Sequence, residues 1–418
     1  MKPQRQLSVG IFSAPQVAFR LLQPCIVAGK RYEGRQEAEW RDGRILFDGR
    51  LYDELIFSPE LQAAQNEPFA PASFVLSDVT IGVEFHWQRK EAQRFAGALK
   101  LMVEGERLTA VNLIGIEDYL RCVIASEMKA TASPEFLKAH AVISRSWLLA
   151  QIERRGIVPA GRPEFVETED TLIRWADRED HLNFDVCADD HCQRYQGLSR
   201  LSSPKADEAV LATWGEVLTY EGALCDTRFS KCCGGMTERF STCWENRDYP
   251  YLAPVLDAPA DGGPDFCDTA DESVLSQVLN DYDLETKDFY HWRVEYDRRE
   301  LADLIRRRSG IDFGEEIRAL EPLERGASGR IRLLRIVGSA RTMTVGKELT
   351  IRRWLSESHL KSSAFEVSYP DSRIVLDGRG WGHGVGLCQI GAAVMGHRGY
   401  PYAGILAHYY PGAQLTLR

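Results

Sequence analysis

No run of about 18 apolar residues occurs in this chain, which excludes a transmembrane helix on hydropathy grounds. Nor is there a basic excess. With 51 Lys+Arg against 61 Asp+Glu the formal net charge is -10, whereas a nucleic-acid-binding body usually carries a positive field. The N-terminal MKPQRQLSVGIFSAP lacks an apolar stretch of about 7–15 residues followed by a small-residue cleavage site, so it shows no secretory signal. As written, the chain reads as soluble and without an export address. A cell-envelope location requires a leader already removed; otherwise the reading is cytoplasmic. Repeats at solenoid periods and low-complexity tracts are missing too. A last gap lies in the tail: between Gly378 and Arg418 there is not one Asp or Glu, in a chain with 61 acids over 418 residues.

What is present describes a folded protein, since 44% hydrophobic, 10% aromatic and 27% charged residues are ordinary globular values. The length suits two or three domains or one elaborated one. Residues 1–109 read as β-rich, with alternating runs SVGIFSA, RILFDGRLYDELIFS, SFVLSDVTIGVEFHW and GALKLMV between turn residues. From Val111 the pattern turns helical and opens a core over 110–259, irregular and polar between about 161 and 215. Residues 260–345 hold one amphipathic run, RRELADLIRRRSG, followed by strands, and read as an inserted α+β lobe. Residues 346–418 return to the core with a glycine-rich segment that closes a cleft. The fold class is α+β.

The first site candidate is VNLIGIEDYLRCVIASEM. Asp118 can cap a helix whose apolar residues fall at Leu120, Val123, Ile124 and Met128. Glu127 follows Val123 by four and Leu120 by seven, so helical geometry puts its carboxylate on the apolar stripe. A buried carboxylate resists ionisation, which suits a proton donor near neutral pH. The competing reading leaves Glu127 at a fraying helix end, turned to water or paired with an arginine. The next helix starts at Ser133-Pro134-Glu135 and carries His140 and Arg145 among apolar or small positions. Arg145 either orients Glu127 and binds sugar or carboxylate oxygens, or forms a plain ion pair. His140 fits an ordinary satisfied helix histidine better than a catalytic one.

A second candidate, HLNFDVCADDHCQRYQG, spaces His181, Cys187, His191 and Cys192 as a full tetrahedral zinc set. Four protein ligands leave no open position, so such a site is structural. The rival is a Cys187–Cys192 disulfide in an exported protein. Third, DGRGWGHGVGLCQIGA places glycines at 378, 380, 382, 384, 386 and 391 around His383, with Gln389 soon after. A dinucleotide loop fails here because no acid follows about 20 residues on and no βαβ unit surrounds it; a P-loop fails for want of G-K-[ST]. The segment then either presents polar groups to a sugar or anionic ligand or forms a tight turn against the core. Last, TRFSKCCGGMTERFSTCWENRDYPYL joins Ser230, Cys233 and Thr237 to a Gly234-Gly235 pair and could line a cleft; alone it is a weak signal.

In this order, from about Phe74 onward, EDYLRCVIASEM, PEFLKAHAVISRSW, HCQRYQG, SKCCGGMTE, SGRIRLLRIVG, SHLKSSAF, GRGWGHGVGLCQIGAAVMGHRGY and ILAHYYPGAQL resemble the stage II sporulation protein D and amidase enhancer family of bacterial cell-wall proteins. The resemblance implies a lytic transglycosylase acting on peptidoglycan glycan strands, preferably stripped of stem peptides, with Glu127 as catalytic acid. It implies a zinc site on His181, Cys187, His191 and Cys192, and as an alternative a non-catalytic enhancer of a cell-wall amidase partner. Arg145, His383 and Gln389 are then candidates for orienting Glu127 or gripping the glycan, and Ser230, Cys233 and Thr237 for binding it from the cleft lining. Without a leader, imported muropeptides would be the substrate. One departure stands out: where relatives tend to have serine or threonine before the glycine pair, this chain has Cys232 and Cys233. The ten cysteines read as thiols gathered around one site, with no role assigned to Cys25, Cys225, Cys243 or Cys267.

Overall fold

Alternating apolar and polar residues drive most of the N-terminal chain into strands. A computed structural model describes residues 4–60, 68–81, 89–154, 165–175, 181–189, 192–278 and 289–418. They form an α+β protein whose chain divides into two units, Met1–Arg145 with Asp180–Glu216, and Ser146–Glu179 with Val217–Arg418.

The first unit is built on β1 (Gln6–Ala14), β2 (Gln16–Val27), β3 (Lys30–Arg41), β4 (Arg44–Phe47), β5 (Arg50–Tyr52), β6 (Glu54–Pro59), β7 (Ala72–Ile81), β8 (Arg89–Ala96), β9 (Ala98–Glu104) and β10 (Arg107–Gly115). They pair in the order β1, β10, β9, β6, β2, β3, β4, β5, with β7 on β2 and β8 on β7. The inward residues Val9, Leu99, Leu101, Leu108 and Val111 are fully buried. The run VNLIG, expected to open the helical part, is the end of β10; short apolar runs fit a buried strand as well as a helix.

Helix α1 (Ile116–Glu127) follows at once, and its N-cap is Gly115, not Asp118. The free N–H groups of Glu117 and Asp118 are taken by the Gln4 side chain at 3.0 and 3.4 Å. Asp118 instead accepts from the Ala70 N–H at 2.8 Å and from Gln4 Nε2 at 3.2 Å. Burial raises its pKa above the usual carboxylate range. Helix α2 (Pro134–Arg154) starts at the expected proline. Among the described residues, no helix is long and apolar enough to cross a membrane.

In the second unit, the antiparallel strands Ile317–Arg325, Ile331–Gly338 and Thr342–Gly346 form a sheet extended by Thr171–Ile173. The helix Arg298–Ser309 has a proper start and stop: Asp297 accepts from the Arg299 and Glu300 N–H groups, and Gly310 closes it at φ 75°. Its Leu301 and Ile305 share a core with Leu320, Leu334, Ile336 and Ile351. A second sheet orders His291–Tyr296, Ile374–Arg379 and Phe365–Ser368. Its middle strand delivers the glycine-rich segment, and Phe229–Ser230 pairs in parallel with Leu387–Cys388 at that segment's far end.

Candidate functional site

Glu127 is the last residue of α1 and is half-buried. Its Oε1 accepts the backbone N–H of Arg194 at 2.9 Å. The neighbouring Ser126 hydroxyl accepts the Gln196 N–H at 3.1 Å and donates to the Cys122 carbonyl at 2.7 Å. The carboxylate is therefore clasped by the irregular segment 192–196, whose own anchors lie on the sheet. Tyr195 donates to Asn112 Oδ1 at 2.6 Å and stacks on Tyr119, with ring centroids 4.9 Å apart. A backbone N–H aimed at a carboxylate fixes its orientation without a flexible side chain.

The same segment begins with the His/Cys set. Val186–Cys187 pairs in parallel with Val9–Gly10 of β1, and Asp185 accepts from both the N–H and the hydroxyl of Ser8 at 2.9 and 2.7 Å. Phe184 lies over Gly10 so closely that a Cβ there would sit 2.5 Å from its ring, and His181 stacks on the same phenylalanine. These contacts bring the donor atoms of His181, Cys187 and Cys192 within 4.8 Å of one another, with His181 Nε2 3.5 Å from Cys192 Sγ. That spacing fits a tetrahedral ion with metal–ligand distances of about 2.0–2.3 Å. His191 lies outside the described residues. None of the ten cysteines is joined in a disulfide.

Arg145 does not reach Glu127. Its guanidinium forms a two-pronged pair with Glu117, at 2.9 and 2.6 Å, and also donates to the Glu216 carbonyl at 2.9 Å. Both side chains are buried, at 1% and 7% exposure. The guanidinium is thus engaged in a buried ion pair, with no face left for a glycan. His140 is fully buried, hydrogen-bonded to Ser144 at 3.1 Å.

In the second unit the glycine-rich residues are shaped mainly by packing. Gly380, Gly382, Gly384 and Gly386 all have φ between 71° and 92°. At Gly384 the reason is close approach as well: a Cβ would meet the Arg330 guanidinium at 2.5 Å. Arg330 is fully buried and donates to the carbonyls of Gly382, Cys233 and Cys232 at 3.1, 3.0 and 3.4 Å, tying the two motifs together. Beside it, buried Glu238 accepts from the N–H groups of Ala327 and Ser328 and from the Ser328 hydroxyl. Neither Arg330 nor Glu238 stood out in the sequence, since each needs partners distant along the chain.

The polar residues expected to grip a glycan here turn inward. The half-buried His383 ring packs edge-on to Trp244, and its Nδ1 accepts the Val385 N–H at 3.0 Å. Burial, then the guanidinium groups of Arg228, Arg330 and Arg352, push His383 well below the ordinary histidine range. Ser230, Cys233, Thr237 and Gln389 are buried. The Thr237 hydroxyl is used by the Val255 N–H at 2.8 Å, and Cys233 faces other thiols. For these four, the expected cleft lining is corrected to interior packing.

With this geometry in hand, a family model described as Stage II sporulation protein matches residues 104–220, the stretch from the end of β9 through α1, α2 and the His/Cys segment. Stage II sporulation protein D of Bacillus amyloliquefaciens is 26% identical over 308 residues, covering 73% of this chain and 76% of that protein. Its namesake from Bacillus subtilis (strain 168) is 25% identical over 310 residues, with the same shares. Residues 104–220 thus carry a stage II sporulation protein domain, and the longer matches support that family. An amidase enhancer of Bacillus subtilis is also similar, at 26% identity over 320 residues, 71% of this chain and 40% of that protein. Residues 238–386 match a model described as a domain of unknown function. In this chain, a second donor group is present besides the His/Cys set: buried Cys233, Asp257, Cys267 and Cys388.

Proposed function

We propose that this protein acts on the bacterial cell wall as a peptidoglycan lytic transglycosylase, with Glu127 as its acid and base. Similarity to stage II sporulation protein D and to an amidase enhancer supports the cell-wall role. The observation that carries the catalytic reading is the Glu127 carboxylate, half-exposed at the end of a buried helix and oriented by the Arg194 N–H. Ordinary glycosidases need two carboxyl groups, one as acid and one as nucleophile or base. A lytic reaction needs one. Glu127 protonates the bridging oxygen as the glycosidic bond breaks. The resulting carboxylate then takes the proton from the sugar's own primary hydroxyl, whose oxygen closes onto the anomeric carbon and leaves an anhydro ring.

His181, Cys187 and Cys192, with His191, would hold a zinc ion whose contribution is to cross-link the segment that clasps Glu127. A cavity of about 580 Å³ in the same unit supports a sugar site beside that segment, lined by Gln93, Arg107, Asp189, Arg194 and Tyr195 among others. Gln93, on the wall of this cavity, is 1% exposed, and its amide has no hydrogen-bond partner among the described residues.

The test incubates the pure protein with denuded glycan strands and looks by mass spectrometry for anhydro ends, beside a Glu127→Gln variant of unchanged melting temperature. Anhydro products from the parent and none from the variant are expected; equal release from both would sink the assignment. The similarity to an amidase enhancer favours one other reading, a glycan-binding protein that stimulates a cell-wall amidase. Under that reading the parent yields no anhydro ends, and both proteins stimulate the amidase equally.

A further inference from the structure

Four donor residues in the second unit come from separate stretches of chain. Cys233 precedes the glycine pair, Asp257 and Cys267 bracket a loop, and Cys388 is the N-cap of the helix Gln389–His397. All four are at most 1% exposed, and their donor atoms lie within 4.8 Å of one another. Cys233 Sγ is 3.6 Å from Cys267 Sγ. For zinc–sulfur bonds of about 2.3 Å, two ligands at tetrahedral corners stand about 3.8 Å apart. The thiols are thus spaced for a single ion, closer than a multi-iron cluster would hold them.

The surroundings are those of a ligand set. Asp257 Oδ1 accepts from the Tyr409 hydroxyl at 2.5 Å and Oδ2 from the Cys267 N–H at 2.9 Å. Each oxygen keeps a lone pair, while the two donors lock the carboxylate's orientation, the role outer partners play at metal centres. Asp257 forms no ion pair with any lysine, arginine or histidine among the described residues, although buried charges are ordinarily paired or metal-bound. Cys388 Sγ accepts the Cys233 N–H at 3.2 Å and sits at a helix N-terminus, a position that favours thiolate.

We propose that Cys233, Asp257, Cys267 and Cys388 bind one zinc ion in a closed tetrahedral site. Three thiolates select a soft or borderline metal, and a filled coordination sphere makes the site structural. It fastens the Gly234-Gly235 turn, the loop between Asp257 and Cys267 and the end of the glycine-rich segment to one point, without any part in proton transfer.

The test uses the full chain, purified without chelator, in a Cys187→Ala/Cys192→Ala background that removes the other donor set. About one equivalent of zinc per chain should remain, as for a four-ligand protein site. Adding Cys267→Ser or Cys388→Ser should abolish it, while Cys225→Ser, at a buried thiol outside the group, should leave it in place. Absence of zinc from the background protein would overturn the proposal. So would retention of zinc after both substitutions, iron with labile sulfide, or a mass two hydrogens short that reveals a Cys233–Cys267 disulfide. If the serine variants do not fold, the background protein loaded with cobalt(II) alone decides the matter. Strong thiolate-to-cobalt absorption in a tetrahedral pattern is expected, and its absence refutes the site.

Discussion

Polar residues singled out by the same sequence logic meet opposite fates in the two units. At the end of α1, Glu127 keeps part of its surface open and is held by a backbone N–H. In the glycine-rich segment, His383 binds the backbone of Val385, and Gln389, Ser230 and Thr237 are buried. Both regions contain a histidine or acid among apolar or glycine neighbours, yet one leaves a carboxylate partly open to solvent and the other stitches backbone together. The difference teaches that a motif rich in polar residues and glycine is as often the internal scaffold of a site as its working surface. Alternate glycines with φ near 80° let the chain pass over Arg330, and that packing specifies the motif.

The comparison breaks most visibly at Glu127. Its replacement by glutamine removes the proton donor while keeping shape, and cleavage should fall by about 10³-fold or more, with stability within about 0.5 kcal/mol of the parent. A His383→Gln variant measured beside it should keep cleavage within about tenfold once corrected for folded fraction. The next largest effect belongs to Arg145. Replacing it with alanine strands the Glu117 carboxylate in the interior and should cost about 3–5 kcal/mol in urea unfolding. Converting both partners to apolar residues of similar size should recover most of that. If Arg145→Ala instead melted like the parent and lost cleavage, the guanidinium would belong to the chemistry after all.

How far such roles were legible depends on how local their causes are. Strands β1, β4 to β6, β7 and β9 follow from alternation in the sequence. β3 does not, because Ala38 is its only buried residue and the strand is held by its ladder with β2. The buried stripe of α1 at Leu120, Val123 and Ile124 was readable from spacing alone. The cap of that helix was not, since its acceptor is Gln4, more than a hundred residues earlier. Arg145 was visible as an oddity, but its partner Glu117 was hidden beside the more cap-like Asp118. Cys267 gave no signal at all: its thiol acquires meaning only when the fold brings in Cys233, Asp257 and Cys388.

Two smaller effects sharpen the contrast within the second unit. Gly384→Ala adds a Cβ 2.5 Å from a guanidinium pinned by three carbonyls, in backbone that disfavours side chains. About 1–3 kcal/mol of thermal or urea stability should be lost. The effect of His383 is subtler and appears only with pH. Its pKa is depressed in the folded protein, so between that value and about 6.5 the unfolded chain binds a proton that the native ring refuses. Stability attributable to His383 is therefore complete above about pH 7 and declines as pH falls through 6.5. The decline continues down to the folded pKa, at up to about 1.4 kcal/mol per pH unit. Urea midpoints taken from pH 7.5 to 5 should show that slope, and His383→Gln should flatten it while lowering the pH 7.5 midpoint through the lost fit against Trp244. An unchanged slope in the variant would mean that His383 gains its proton inside the fold. The ring would then be a group open to solvent and no longer part of the scaffold.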